Sequence, residues 1–249
     1  MCFDEALAEH LQHGAGAPTV RVYQWQPWAV SLGYHQSIEE IDQLRCQARG
    51  IDIIRRPTGG RAILHAEELT YSVVLPVQSR STLKVYNDIS NALVRGLRLF
   101  GVDVALQRTQ PNFPEQYRRP SSIPCFASSA RYEIEWHGRK LVGSAQRRYT
   151  GGTQDVVLQH GSLLCGPAHQ GLIDLLSLRE DEAVALLKRE LRERTADLAS
   201  ILGAPVCLQD VAACIREGFE KEWGISFFDE EIPQNESTII NSGVTAHHD

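Results

Sequence analysis

The sequence predicts a single α+β domain, a mixed sheet first and helices last, on three observations. Short β-branched runs punctuated by turn residues fill much of the chain up to about residue 164. One long apolar stripe of helical period, Ser81 to Phe100, interrupts them. From His169 to Trp223 the pattern is helical. At 249 residues, 43% apolar and 22% charged, the chain has the composition of a globular protein.

The elements follow in order. Asp4 to His13 is a short helix closed by Gly14-Ala15-Gly16. Thr19 to Trp25 alternates as a strand, and Ala29 to Leu32 is a second one ahead of Gly33. Ile38 to Arg49 reads as one helix, with Ile41, Leu44 and Ala48 on a face and Gly50 as its stop. Ile51 to Ile54, Ala62 to Leu64 and Leu69 to Leu75 are extended; Leu83, Tyr86, Ile89, Leu93 and Leu97 then recur along the clearest helix. Thr109 to Ile123 is a polar, proline-rich loop. Arg131 to Trp136 and Lys140 to Arg147 form a hairpin about His137-Gly138. Strands follow at Gln154–Leu158 and Ser162–Leu164. One domain is expected over residues 1–228, with a polar, loose tail over 229–249.

No apolar run approaches the roughly 18 residues of a membrane span. The start, Met1 to Leu7, has neither the basic stretch nor the apolar core of a secretory signal, which points to the cytoplasm. Six cysteines, at 2, 46, 125, 165, 207 and 214, form no CxxC pair and no zinc-ligand spacing, so free thiols and no bound metal are expected. A net charge of −6 gives no reason to expect nucleic acid as a partner.

Three segments carry chemistry. In Arg55-Arg56-Pro57-Thr58-Gly59-Gly60-Arg61 a glycine pair lies between two strands. It is either a plain tight turn with solvated arginines or a loop whose backbone N–H groups approach a ligand. Pro124-Cys125-Phe126 puts a cysteine at the edge of the proline-rich loop, where it is either a buried thiol or a reactive one. Lys140 stands at a strand start after the turn, and Gly143-Ser144-Ala145 are small enough to let a substrate lie across the strand. By themselves, Lys140 is equally a solvated hairpin-end residue and His160 a satisfied core histidine.

Together the segments resemble the biotin/lipoate protein ligase and lipoyl/octanoyl transferase superfamily, closest to octanoyltransferases with a cysteine–lysine pair. The resemblance rests on Arg55 to His65 followed by Glu68-Leu69-Thr70-Tyr71-Ser72-Val73, and on Pro124-Cys125-Phe126. Gly138-Arg139-Lys140-Leu141-Val142-Gly143-Ser144-Ala145-Gln146 and Gln159-His160-Gly161-Ser162 complete it, in the same order and at similar separations, over roughly residues 1 to 175. It implies a mixed sheet packed with helices. It implies that Cys125 accepts the acyl group with Lys140 as its partner, and that Arg56, Thr58, Gly59, Gly60, Arg61 and His65 line the acyl pocket. Gly143, Ser144, Ala145 and His160 would complete the substrate site, Ser144 and Ala145 flanking the reacting carbonyl. Such relatives carry a further strand ahead of the first helix, so one sheet edge here is expected to be missing or filled otherwise.

The implied donor is octanoyl-acyl carrier protein; the acceptor is a lysine of glycine-cleavage H protein or another lipoyl domain. Thiolate attack on a thioester gives another thioester, so the first step is nearly energy-neutral and needs neither ATP nor a cofactor. A free thiol with a pKa of about 8.5 is only a few per cent ionised at neutral pH; a lysine cation within about 4–6 Å raises that fraction. With the turn at His137-Gly138, Lys140 falls opposite Glu135 and Cys125 lies beyond the paired hairpin. Arg118, Arg119, Arg131, Arg139, Arg147 and Arg148 offer a basic face to an acidic carrier. The alternatives are an ATP-dependent lipoate–protein ligase, for which Cys125 is idle, an amidotransferase between lipoyl-domain proteins, and a non-catalytic binder of either partner.

Overall fold

The computed structural model describes residues 1–107, 133–178, 181–229 and 238–246. Helix α1 (Cys2–Gln12) leads into strands β1 (Thr19–Tyr23) and β2 (Ala29–Leu32). A 3-10 turn at Ile38–Glu40 and helix α2 (Gln43–Ala48) stand where one helix was expected. Ile41 breaks it: its backbone is extended and bridges Leu176, and Asp42 then caps α2 by accepting from the Arg45 N–H at 3.0 Å.

Strands β3 (Asp52–Arg55), β4 (Ile63–His65) and β5 (Glu68–Pro76) precede helix α3 (Thr82–Leu99). After β6 (Ala105–Leu106) come β7 (Ile134–Trp136), β8 (Arg139–Tyr149) and β9 (Val156–Leu164). β9 runs unbroken where two short strands were expected. A Cβ on Gly161 would stand 2.2 Å from the Gly143 carbonyl and 2.6 Å from the Tyr71 ring, so glycine fits the strand there. A 3-10 segment (Pro167–Leu175), helices α4 (Asp181–Arg194), α5 (Leu198–Leu202) and α6 (Leu208–Trp223), and strands β10 (Ile225–Asp229) and β11 (Thr238–Ala246) follow.

The strands make two sheets. The larger has the order β10-β11-β1-β5-β9-β8-β7-β6, and each of its pairs is antiparallel. The smaller, β3-β2-β4, contains the parallel pair, β2 with β3. The free edge of β1 is filled by β11, Thr19 to Tyr23 pairing against Gly243 to Thr238. The polar end of the chain therefore enters the sheet over residues 238–246 instead of hanging loose. β-branched residues at Thr238-Ile239-Ile240 suit an edge that needs a partner.

Cross-strand partners share a face, so registers sort the large sheet into two sides. Leu69, Tyr71, Val73, Val142 and Leu163 join one core with Ile89, Leu93 and Leu97 of α3 and Ile215 and Phe219 of α6. Each fully buried side chain there contributes about 1.5–3 kcal/mol. On the opposite side Val74, Val156 and Leu158 pack under Ala8 and Leu11 of α1. Farther along that same side, Glu68, Thr70, Ser72, His160 and Ser162 face the small sheet.

Candidate active site

The loop after β3 is braced from within. Arg56, 2% exposed, donates to the Gly59 carbonyl at 3.0 and 3.1 Å, to the Arg61 carbonyl at 2.7 Å, and to Ser31 O and Oγ at 3.0 and 3.1 Å. A guanidinium that answers several carbonyls at once fixes the loop's path. Gly60 has φ +98° and its carbonyl would lie 1.9 Å from a Cβ on Gly33, which locks the loop against β2.

His65 is held at both nitrogens. Nδ1 is hydrogen-bonded to Glu68 Oε1 at 2.7 Å and Nε2 to Ser31 Oγ at 2.7 Å. Thr70 and Ser162 also donate to Glu68 Oε1, at 2.5 and 3.0 Å. Trp25 stacks on His65 with centroids 4.6 Å apart and donates its indole N–H to Thr70 Oγ1 at 2.8 Å. Sequence reading did not single out Trp25 or Ser31, and it held Glu68 only as part of a motif; their polar roles appear when β2 and β5 are brought together.

His160 Nε2 and Thr58 Oγ1 are hydrogen-bonded at 2.5 Å, and His160 Nδ1 is buried without a partner among the described residues. Burial lowers the His160 pKa to about 3, so this imidazole is neutral at physiological pH.

Arg56, His65, Gly143, Ser144, Ala145 and His160 come together around one small cavity of about 20 Å³, with Ile63, Thr70 and Ser162. Thr58 stands behind His160. Gly59 and Gly60 shape the turn outside that lining, and Arg61 turns to an ion pair with Glu40 at 2.9 Å. The Ser144 hydroxyl points to the opposite side of the sheet, where it accepts from Tyr71 at 2.6 Å. A cleft of about 890 Å³ shares His65 with that cavity and is walled by Trp25, Trp28, Ile51, Pro167, Val206 and Leu208.

Lys140 reaches this side of the sheet through an irregularity. Ile134 lies opposite Val142, but Glu135 lies opposite Lys140, so Leu141 is an extra residue in β8. Regular alternation would put Lys140 with Val142 and Ser144, facing α3. The bulge turns it to the side of Gly143 and Ala145. Glu133, the same side of β7 by alternation, ion-pairs with the Lys140 ammonium, and both side chains are buried, 2% and 5% exposed. Of the four lysines in the chain, Lys84, Lys188 and Lys221 sit on helices at 42–62% side-chain exposure. Lys140 is the buried one. Cys125, with Arg118, Arg119 and Arg131, lies outside the described residues.

The family described as the lipoyl protein ligase A/B catalytic domain matches residues 1–220. A protein of Kyrpidia tusciae named octanoyltransferase LipM is 40% identical over 229 residues, 90% of this chain and 82% of that one. Its namesake in Geobacillus kaustophilus is 35% identical over 228 residues, covering 89% and 80%. Among solved structures, the bipartite lipoate protein ligase of Thermoplasma acidophilum superposes with a TM-score of 0.73 at 22% identity, over 93% of this chain and 81% of that one. A lipoate-protein ligase A bound with ATP gives 0.71 at 23% identity, over 93% and 83%. The two structures share the α+β fold read from the sequence. On the matched domain and the aligned relatives, the chain belongs to the lipoyl protein ligase A/B catalytic domain family.

Proposed function

We propose that this chain is an octanoyltransferase of lipoate biosynthesis. It moves octanoyl from acyl carrier protein, through a thioester on Cys125, to a lysine of glycine-cleavage H protein or another lipoyl domain. The observation that carries this is the 40% identity, across 82% of its length, to a protein named octanoyltransferase. The buried Lys140, turned by the β8 bulge to the sheet side that carries Gly143 and Ala145, supports it. No helix among the described residues is long and apolar enough to cross a membrane, and a cytoplasmic enzyme without a cofactor is the reading we adopt.

The acyl chain takes the space between the large sheet and the small one, over Gly143 and Ala145. A cavity of about 20 Å³ holds roughly one water, so an eight-carbon chain requires the lining side chains to part. His65 and His160 give the site two imidazoles fixed in orientation by their partners. The 890 Å³ cleft walled in part by Trp25 is the open approach to His65.

The protons balance over two steps. The Cys125 thiolate attacks the octanoyl thioester, the carrier's thiolate leaves, and the Lys140 ammonium protonates it. Lys140, now an amine, takes a proton from the incoming lysine's ammonium. The neutral amine then attacks the acyl-Cys125 carbonyl, the Cys125 thiolate leaves, and the amide nitrogen releases one proton to solvent. Donor and acceptor become free carrier thiol and octanoyl-lysine, and the enzyme returns to its starting protonation.

The test is intact-protein mass spectrometry after mixing with octanoyl-acyl carrier protein, without ATP, for wild type and Cys125→Ser. A hydroxylamine-labile octanoyl adduct on wild type alone is the expected result. Transfer only with octanoate and ATP, and no adduct, would overturn it in favour of a ligase.

A further inference from the structure

We propose that Glu133 is a positioning residue for this site: its buried carboxylate holds Lys140 in the ammonium form on the pocket side of the sheet. The lysine thus enters the cycle carrying a proton rather than as a free amine.

The argument begins with burial. An ammonium alone in a protein interior neutralises itself, because desolvation penalises the charged form. Lys140 has 5% of its side chain exposed, yet a carboxylate 2% exposed is ion-paired with it. An opposite charge in contact reverses the preference and favours the ammonium. Glu135 stands opposite Lys140 on β7 and adds a second negative charge; burial raises its pKa while Lys140 lowers it.

The backbone is fixed as well. The Lys140 carbonyl accepts from the Ala196 N–H at 3.0 Å, and Lys140 bridges Thr195. Thr195 Oγ1 is hydrogen-bonded to His169 Nε2 at 2.9 Å. The segment after α4 therefore clamps the start of β8, while the bulge at Leu141 sets the direction of the side chain. Among the described residues, the other titratable and charged groups near Lys140 in the chain or the fold are Arg139 before it, Cys165 just after β9, His169 behind Thr195, and Asp197 two residues beyond Thr195.

A chain with four lysines allows a direct test. With lysine labelled at 13Cε, four resonances titrate, and Lys140→Arg identifies the one that belongs to Lys140. In wild type that resonance is expected to titrate at or above the ordinary lysine value of about 10.4. In Glu133→Gln it should titrate at least about one pH unit lower, a ten-fold change in proton affinity, and Glu133→Asp should restore most of it. The second arm is kinetic and rests on the transferase reading above: the alkaline limb of the acyl-transfer profile moves to lower pH in Glu133→Gln and back in Glu133→Asp.

An unmoved Lys140 titration in Glu133→Gln would overturn the proposal. So would a fall in rate with the alkaline limb unmoved, since a merely structural role gives that pattern. If wild type forms no acyl-cysteine, the transferase reading fails by itself and the NMR titration still decides the pair. Should Glu133→Gln not fold, Glu133→Asp carries the test: a longer, weaker contact should lower the Lys140 titration point part of the way, and an unchanged one would overturn the proposal.

Discussion

Two buried ion pairs lie on the same side of the large sheet, and they are built for different ends. Arg21 and Asp4 are 1% and 0% exposed and fasten β1 to α1. Tyr23 donates to Asp4 at 3.1 Å, and the Arg21 guanidinium lies 4.4 and 4.9 Å from the rings of Phe3 and Tyr23. Burial, and then the nearby Asp4 charge, raise the Tyr23 pKa well above its ordinary value, so the phenol stays a donor. Lys140 and Glu133 are as deeply buried, but their cation is one that can part with its proton. A guanidinium stays charged in any protein, whereas an ammonium exchanges a proton when its surroundings change. The first pair holds a helix on a sheet; the second sets an exchangeable cation on the sheet side of Gly143 and Ala145.

The comparison breaks hardest at Lys140. In the double variant Lys140→Met/Glu133→Gln both charges of the pair go together, so stability should fall by less than the ~3–5 kcal/mol expected when one partner of a buried pair is removed alone. Transfer of octanoyl to the acceptor should fall about 10²–10⁴-fold, the usual contribution of a positioned proton-transfer group. Urea unfolding beside a single-turnover transfer assay checks both. Loss of stability without loss of rate would make this pair a staple like the other.

Asp4→Asn tests the staple from the other side. Removing one partner of a buried pair costs about 3–5 kcal/mol, which lowers Tm by roughly 6–20 °C in a chain of this size. The rate per folded molecule should stay near wild type at a temperature where both are native. Calorimetry and the transfer assay separate the two effects.

These pairs also show what sequence could reach. Lys140 was legible because the turn at His137-Gly138 fixes it opposite Glu135, and the register bears that out. Glu133 was not, because its pairing depends on a bulge at Leu141 that no residue preference announces. The pocket residues Arg56, His65, Gly143, Ala145 and His160 were legible as motifs, but their arrangement comes from packing the small sheet on the large one. The Ser144 hydroxyl illustrates the limit: a motif places the residue, while strand alternation decides that its side chain meets Tyr71 behind the sheet. The last strand was missed for a related reason. Residues 238–246 read as polar chain until the open edge of β1 is present to pair with them.

A titration sharpens the contrast between groups that hold charge and groups that exclude it. Burial lowers the His160 pKa to about 3, and burial lowers that of His169 as well. His160 stays neutral in the fold down to about pH 3, and His169 protonates less readily in the fold than in the unfolded chain, where both protonate below about pH 6.5. The unfolded state therefore binds more protons as pH falls, and stability should decline from about pH 6.5 toward pH 3. His160 contributes a slope approaching about 1.4 kcal/mol per pH unit, and His169 adds to it in the same direction. His160→Gln should remove the His160 share of that slope, up to about 1.4 kcal/mol per pH unit, in urea titrations at pH 7, 5 and 4. An unchanged slope would mean that His160 is already protonated in the fold.

The smallest effect is expected behind the sheet, at Tyr71. Its hydroxyl donates to Ser144 Oγ at 2.6 Å and accepts from Gln159 Nε2 at 3.1 Å, and burial pushes its pKa up to about 12. Tyr71→Phe keeps the ring against Gly161 and removes the two hydrogen bonds, which should cost about 1 kcal/mol each. Tm should fall by a few degrees at about 2–4 °C per kcal/mol. Because the Ser144 hydroxyl lies across the sheet from the pocket, freeing it should change acyl transfer less than about two-fold, far below the 10²-fold loss expected at Lys140. A collapse of transfer in Tyr71→Phe would instead mean that the orientation of Ser144 is felt on the pocket side, and that the two faces of β8 are coupled through a single residue.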